Sequence, residues 1–215
     1  MRQAIPLLIL LIFPLSATAG EVMVGRFSTG DLRGWQEESF VGHTSYRIDE
    51  QGGVKRLHAK SNNAASVFYK RVNIDPDATP LLNWSWRVGD LFGNNDEQSR
   101  VGDDYPARIY VVFSGGPFFL PGHAINYVWS SNQPVGTHWK SAYTGSSRMI
   151  AVNSGSEQLG QWVTLQRDVL ADYRLLFGEE PGSIDTVAVM TDTDNTGRKA
   201  RAWYGDIWFS APAKP

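Results

Sequence analysis

Between residues 81 and 90 the chain reads LLNWSWRVGD, and apolar and polar positions alternate. Leu82, Trp84, Trp86 and Val88 fall on one side, and Asn83, Ser85 and Arg87 on the other. ARIYVVF (107–113) repeats the pattern, with Ala107, Ile109, Val111 and Phe113 against Arg108, Tyr110 and Val112. AINYVWSS (124–131) sets Ile125, Tyr127 and Trp129 against Ala124, Asn126, Val128 and Ser130. DTVAVMTD (185–192) and ARAWYGDIWF (200–209) are two further segments of this kind. A period of two marks strands with one face in a core and the other in water. Short apolar runs separated by Gly, Pro, Asn and Asp are the signature of a sandwich or barrel. One stretch departs from it. In RDVLADYRLLFGEEPG, Val169, Tyr173, Leu176 and Phe177 recur at helical spacing, Asp168 is placed to cap the start, and Gly178 and Pro181 to stop it. The pattern predicts an all-β, two-layer antiparallel sandwich with one short helix lying across an end.

The first twenty residues lie outside that pattern. Arg2 precedes an apolar run from Ile5 to Leu15, and Ala17-Thr18-Ala19 offers a small-x-small cleavage site, which together read as a secretory signal peptide. The run is shorter than the roughly 20 residues a membrane-spanning helix needs, and Pro6 and Pro14 interrupt it. No Cys stands at the cleavage site to carry a lipid. The expectation is a cleaved segment 1–19 and a single domain, 20–215, with no transmembrane anchor after cleavage and a periplasmic or extracellular location.

Composition narrows the partners. The mature chain would carry 19 basic against 22 acidic residues, a net charge of −3, which argues against nucleic acid or anionic lipid. There are no cysteines, so stability must come from the core or a metal; eight Trp, eight Tyr and ten Phe are available to build that core.

Chemistry-bearing residues cluster around VGDDYPARIYVVF (101–113). If Trp84, Trp86, Ile109, Val111 and Phe113 face inward, then Arg87, Arg108, Tyr110 and Asn126 face outward, and Asp192 is in phase with Ala188 and Met190 at the end of another strand. Planar Arg forks hold carboxylates, and Tyr adds area and a hydroxyl. The same pattern fits an ion pair, Asp103–Arg108 or Asp104–Arg108, that ties a loop to the sheet. DTDNTG (192–197) places Asp192, Asp194 and Thr196 at alternate positions before Gly197, yet the twelfth position of a helix-flanked calcium loop is Trp203, not Glu, which excludes that type of site. The segment remains either a turn or an oxygen-ligand calcium site between strands. Zinc is disfavoured, because His43, His58, His123 and His138 are widely spaced. No G-x-S-x-G or Cys nucleophile occurs. A lyase would draw on Arg108, Tyr110, Asn126 and His123. Trp139 and Tyr143, in GTHWKSAYTG (136–145), are candidates to stack on a sugar ring or to pack the loop.

Two resemblances follow from motifs. GRFSTGDLRGWQE, GQWVTLQRDV…FGEEPGSIDTVAVM and WYGDIWFS look like the galactose-binding-like jelly roll that non-catalytic carbohydrate-binding modules use. That likeness implies a structural calcium near the first and last strands, with Asp206 as its candidate ligand. W-x-W-R-V, G-D-D-Y-x-A-R-I-Y-V-V-F, I-N-Y-V-W-S, D-Y-R-x-x-F-G and T-D-T-D-N-T…Y-G-D-I, from about Phe27 to Phe209, resemble a family of exported bacterial proteins known as a domain of unknown function. This second likeness implies fold and compartment and no activity.

The leading expectation is a non-catalytic module for a glycan or envelope polymer. Arg87, Arg108, Tyr110, Asn126 and Asp192 would contact the ligand, Asp103 and Asp104 would organise the entrance, and Asp192, Asp194 and Asp206 are the calcium candidates. No cofactor is required. The alternatives are a polysaccharide lyase or glycoside hydrolase on the same face, and a structural envelope protein that binds another protein.

Overall fold

The computed structural model describes residues 20–114 and 122–213. The expected signal peptide, 1–19, lies outside the described residues. Thirteen strands and one α-helix are present among them: β1 Glu21–Gly25, β2 Trp35–Val41, β3 Ser45–Gln51, β4 Val54–Asn62, β5 Ala65–Ile74, β6 Leu81–Val88, β7 Ala107–Phe113, β8 Ala124–Ser130, β9 His138–Lys140, β10 Ser147–Ser154, β11 Val163–Asp168, α1 Val169–Phe177, β12 Ile184–Met190 and β13 Lys199–Ser210. No helix among these residues is long and apolar enough to cross a membrane.

The strands form a two-layer jelly-roll sandwich. One sheet runs β11-β6-β13-β4-β3, with β1 also paired to β13; the other runs β2-β5-β12-β7-β8-β10-β9. β4 covers Lys199–Tyr204 of β13, and β1 covers Ile207–Ser210. One pair departs from the antiparallel expectation: β10 lies parallel to β8. Parallel neighbours need a crossover, and the segment 131–146, with β9 inside it, supplies one.

The alternation in the sequence decides what faces inward. Trp84 and Trp86 of β6 are fully buried and meet edge-on, with ring centroids 5.4 Å apart. Across the sandwich Trp84 packs on Tyr127, and Trp86 on Trp129. Ile109, Val111 and Phe113 pack inward with them, as the alternation predicts. The Trp86 indole N–H donates to Asn153 Oδ1 at 2.8 Å, so its burial leaves no orphan donor.

Helix α1 begins where expected. Asp168 accepts from the backbone N–H groups of Leu170 and Ala171, and Gly178, at φ 73°, ends the helix. Tyr173 packs on Phe113, which seats the helix on the core.

Candidate functional site

β7 is the central strand of the seven-stranded sheet. Pairing registers build two outward rows across it. Gln36, Tyr69, Ala188, Tyr110, Asn126 and Met149 form one, and Glu38, Val67, Met190, Arg108, Val128 and Ala151 the other. Sequence alternation expects this face to be wet. At the β8–β10 side it is not, because Tyr105, Val128, Trp139, Met149 and Ala151 form a second, smaller buried cluster there. Trp139 therefore packs, and is not a free stacking platform.

Between this cluster and edge strand β2 lies a cavity of about 560 Å³, within the size range of small-molecule and glycan sites. Apolar walls come from Val41, Met149 and Met190, and polar groups from Asp103, Arg108, Tyr110, Asn126, Asp192 and Asp194. Phe40, 62% exposed, and Tyr143, 52% exposed, stand among the lining residues as large aromatic surfaces open to solvent. A shallower hollow of about 330 Å³ shares Phe40 and Tyr110 and extends the cavity toward Tyr69 and Arg71. Together they make a groove across the strands.

Arg108 is buried and largely committed. Its Nε donates to Asp192 Oδ1 at 3.0 Å, Nη2 contacts Asp192 Oδ2, and Nη2 also donates to the Asp103 carbonyl at 3.0 Å. Its plane stacks on Tyr105, 4.5 Å to the ring centroid. Burial opposes the charge on Arg108, but the field of its neighbours, Tyr110 and Asp103 among them, outweighs that and raises its pKa. Nη1 is the loosest corner, 3.6 Å from Asp103 Oδ2. The partner that dominates is Asp192, 84 residues away in sequence; the sequence suggests only the neighbours Asp103 and Asp104.

Three buried polar side chains around this point need attention. Asp103 Oδ1 and Asn126 Oδ1 have no hydrogen-bond partner, and Asp103 is pushed above the usual carboxylate range by burial, with Arg108 pulling it back. The Asn126 amide nitrogen donates to Ser147 Oγ at 2.6 Å. Unpaired acceptors in a cavity wall are groups a ligand's hydroxyl can satisfy. Glu97 is the third. It is wholly buried, accepts from Ser130 Oγ and the Ser131 N–H, and burial raises its pKa to about 7. It anchors the segment 89–100, the polar loop that leads into β7.

Residues 194–197 form a turn. Asp104 holds it by accepting from the N–H groups of Asn195 and Thr196. Carboxylate oxygens of Asp104, Asp192 and Asp194 lie within 4.8 Å of one another. Burial and the charge of Asp104 raise the Asp194 pKa.

Several expected assignments change. Arg87 is on β6, in the other sheet, so it faces outward on the opposite side of the molecule and does not join Arg108, Tyr110 and Asn126. Alternation reports which side of its own sheet a residue occupies, not which sheet. Asp206 is not part of the acid cluster. It lies near the first and last strands, where its carboxylate accepts from the Ser28 N–H and Oγ at 2.7 and 2.6 Å and ties β13 to the turn after β1; the residue that joins Asp192 and Asp194 is Asp104. His123 stacks on Phe177 near α1, away from the groove. Phe40, missed from sequence, was marked there only as one apolar side chain in the polar run QEESF.

The geometry defines an all-β jelly-roll sandwich with an aromatic-rimmed groove on one sheet. This is the fold of carbohydrate-binding modules. A family 11 carbohydrate-binding module of a cellulosomal cellulase of Clostridium thermocellum is similar over 93% of this chain and 99% of its own, with TM-score 0.51 and 8% identity. A family 11 module from Clostridium thermocellum in complex with a β-1,3-1,4-mixed-linked tetrasaccharide is similar over 93% of this chain and 100% of its own, with TM-score 0.52 and 10% identity. Identities this low establish a shared fold alone. The chain belongs to the family described as "Protein of unknown function (DUF3047)", whose model matches residues 33–208. No curated protein matches it by sequence.

Proposed function

We propose that the protein is an exported, non-catalytic module that binds a glycan or envelope polymer in the groove across β2, β5, β12, β7, β8 and β10. One observation carries this: a cavity of about 560 Å³ that combines exposed aromatics, Phe40 and Tyr143, with buried and unpaired acceptors on Asp103 and Asn126. Aromatic faces take the apolar face of a sugar ring, and the acceptors take its hydroxyls. The complex of a fold neighbour with a mixed-linked tetrasaccharide supports a saccharide as ligand. Arg108 and Asp192 are then a rigid wall behind the ligand, with Arg108 Nη1 the one charged corner left to reach it. A lyase on this face fits less well. His123 is remote, and burial raises the Tyr110 pKa, the wrong direction for a proton-abstracting phenolate.

The test is a glycan array followed by titration of the glycan retained, with the mixed-linked tetrasaccharide included. Phe40→Ala and Tyr143→Ala are each expected to weaken binding about tenfold without moving the Tm. Retention of no glycan, or full affinity in both variants, would falsify the reading. Steady turnover of a bound polysaccharide would move the protein to the enzymatic alternative.

The same reading carries a structural calcium with a revised ligand set, Asp104, Asp192 and Asp194. Carboxylate oxygens suit this hard cation, and lone pairs remain on each after the hydrogen bonds described. Calcium added to EDTA-treated protein is expected to raise the Tm; an unchanged Tm would count against a metal here and leave Arg108 as the cation that balances the triad.

A further inference from the structure

On the opposite side of the molecule, the six-stranded sheet presents a second constellation. Pairing registers place Arg87 beside Trp203, Trp203 beside His58, and His58 beside Arg47, one outward row across β6, β13, β4 and β3. Trp162 extends the row, since the next residue, Val163, pairs with Trp86. Trp203 is filled on both sides. His58 stacks on it at 4.6 Å and 3°, and the Arg87 guanidinium sits 4.1 Å from its ring centroid. Trp162 is not. Arg56 and Arg87 approach its ring at 5.0 and 5.6 Å, yet it remains 40% exposed and outside the core.

A hollow of about 250 Å³ lies among Asp49, Gln51, Arg56, Arg87, Trp162 and Trp203. Neither Arg56 nor Arg87 has a carboxylate within ion-pair distance among the described residues. The Nε atoms of both are buried without a partner. The one acid in the hollow, Asp49, accepts from the Trp203 indole N–H at 3.1 Å and from Gln51, which keeps it ionised and occupied. Arg47, Lys60 and Arg201 add positive charge across the same face; after burial, their fields help to lower the His58 pKa. Each guanidinium spends one N–H nearby, Arg87 Nη2 on Gln51 Oε1 at 3.0 Å and Arg56 Nη1 on the Lys55 carbonyl, and keeps others free; beside a part-exposed indole they suit a planar anion carried on an apolar ring face.

We propose a second saccharide site here, specific for sugars that bear a carboxylate, such as uronates. The ring would lie on Trp162, and the carboxylate would meet Arg56 and Arg87. None of its residues lines the groove, so its failure and the failure of the groove reading are separate results.

Isothermal titration and Trp fluorescence with trigalacturonate test it, with cellotetraose as the neutral probe. Wild-type protein is expected to bind trigalacturonate and not cellotetraose at this site. Trp162→Ala and Arg56→Gln should each weaken trigalacturonate about tenfold, and Trp162→Phe should restore part of the loss. Raising the salt from about 0.1 to about 0.5 M should also weaken it. Phe40→Ala should leave it unchanged. No binding of trigalacturonate, full affinity in both Trp162→Ala and Arg56→Gln, or loss of binding in Phe40→Ala would each overturn the second site. Trp162 and Arg56 stand outside the core, and Tm measurements on each variant verify the fold.

Discussion

A guanidinium buried against two carboxylates and two phenol rings responds to substitution as a unit. Truncating Arg108 leaves Asp192 and Asp103 buried without their cation. Arg108→Ala is therefore expected to lower unfolding free energy in urea by about 3–5 kcal/mol, the usual effect of breaking a buried pair from one side. That outcome assigns Arg108 to the scaffold, while Phe40 and Tyr143 report on binding. Glu97 answers to pH. Its pKa rises from 4.5 to about 7 on folding, so the native state holds the proton more tightly than the unfolded chain. The resulting stability is fully present below pH 4.5 and is lost as pH rises to about 7. The loss is on the order of 3 kcal/mol. Asp103 and Asp194, also raised, add slope of the same sign. Glu97→Gln keeps an acceptor for Ser131 and is expected to raise the Tm at pH 8 and flatten the Tm–pH profile between pH 5 and 8. A Tm that falls at pH 8 would refute the assignment. The sequence offers an ion pair of Arg108 with Asp103 or Asp104 as one reading, but neither the pairing with Asp192 nor the burial of Glu97 is legible in it. Arg108 reads there as an outward residue, free or paired with an adjacent Asp, and Glu97 as one of several acids in a polar loop, because burial on an outer sheet face depends on which loops fold over it.

Elements follow local rules where they are long and lie against the core. β6, β7, β8, β12 and β13 were all marked by alternation or apolar runs, and α1 by its spacing and both of its caps. Removing the N-cap with Asp168→Ala is expected to cost about 1 kcal/mol in urea unfolding. Gly178→Ala should cost a similar amount, about 1 kcal/mol, because Gly178 sits at φ 73°. A loop glycine is more demanding. A Cβ on Gly102 would lie 2.4 Å from the backbone oxygen of Asp96. Gly102→Ala should displace the segment that carries Glu97 and Asp103, read out as a lower Tm together with a lost pH dependence. β2 gave little sequence signal. It is a sheet edge exposed at every position but Trp35, so no apolar period is written into it. β9, three residues long, is too short to carry one.

At the scale of the whole molecule the chain closes on itself, since β1 pairs with the end of β13 and Val24 and Phe27 reach the core. Deleting residues 20–30 uncovers one edge of Ile207–Ser210, the last third of β13, and removes both side chains. Burial of each contributes about 1.5–3 kcal/mol, against a total of roughly 5–15 kcal/mol for a typical domain. The truncated protein is expected to show no cooperative thermal transition near the wild-type Tm. A retained transition would place the first strand outside the cooperative unit. The two outer faces belong to different sheets, so variants at Phe40 and Trp162 should act additively on any ligand that reaches both. By itself the sequence determined the fold class, the inward rows, the helix with its caps, and the residue types that crowd the start of β7. These depend on neighbours a few positions apart, and side-chain period is a local property. Only the tertiary structure decided that Arg108 pairs with Asp192, that Asp104 joins Asp192 and Asp194, and that Arg87 stands on the far side with Trp162 and Trp203. Those outcomes depend on which strands share a sheet and in what register, and contacts between residues scores of positions apart set both.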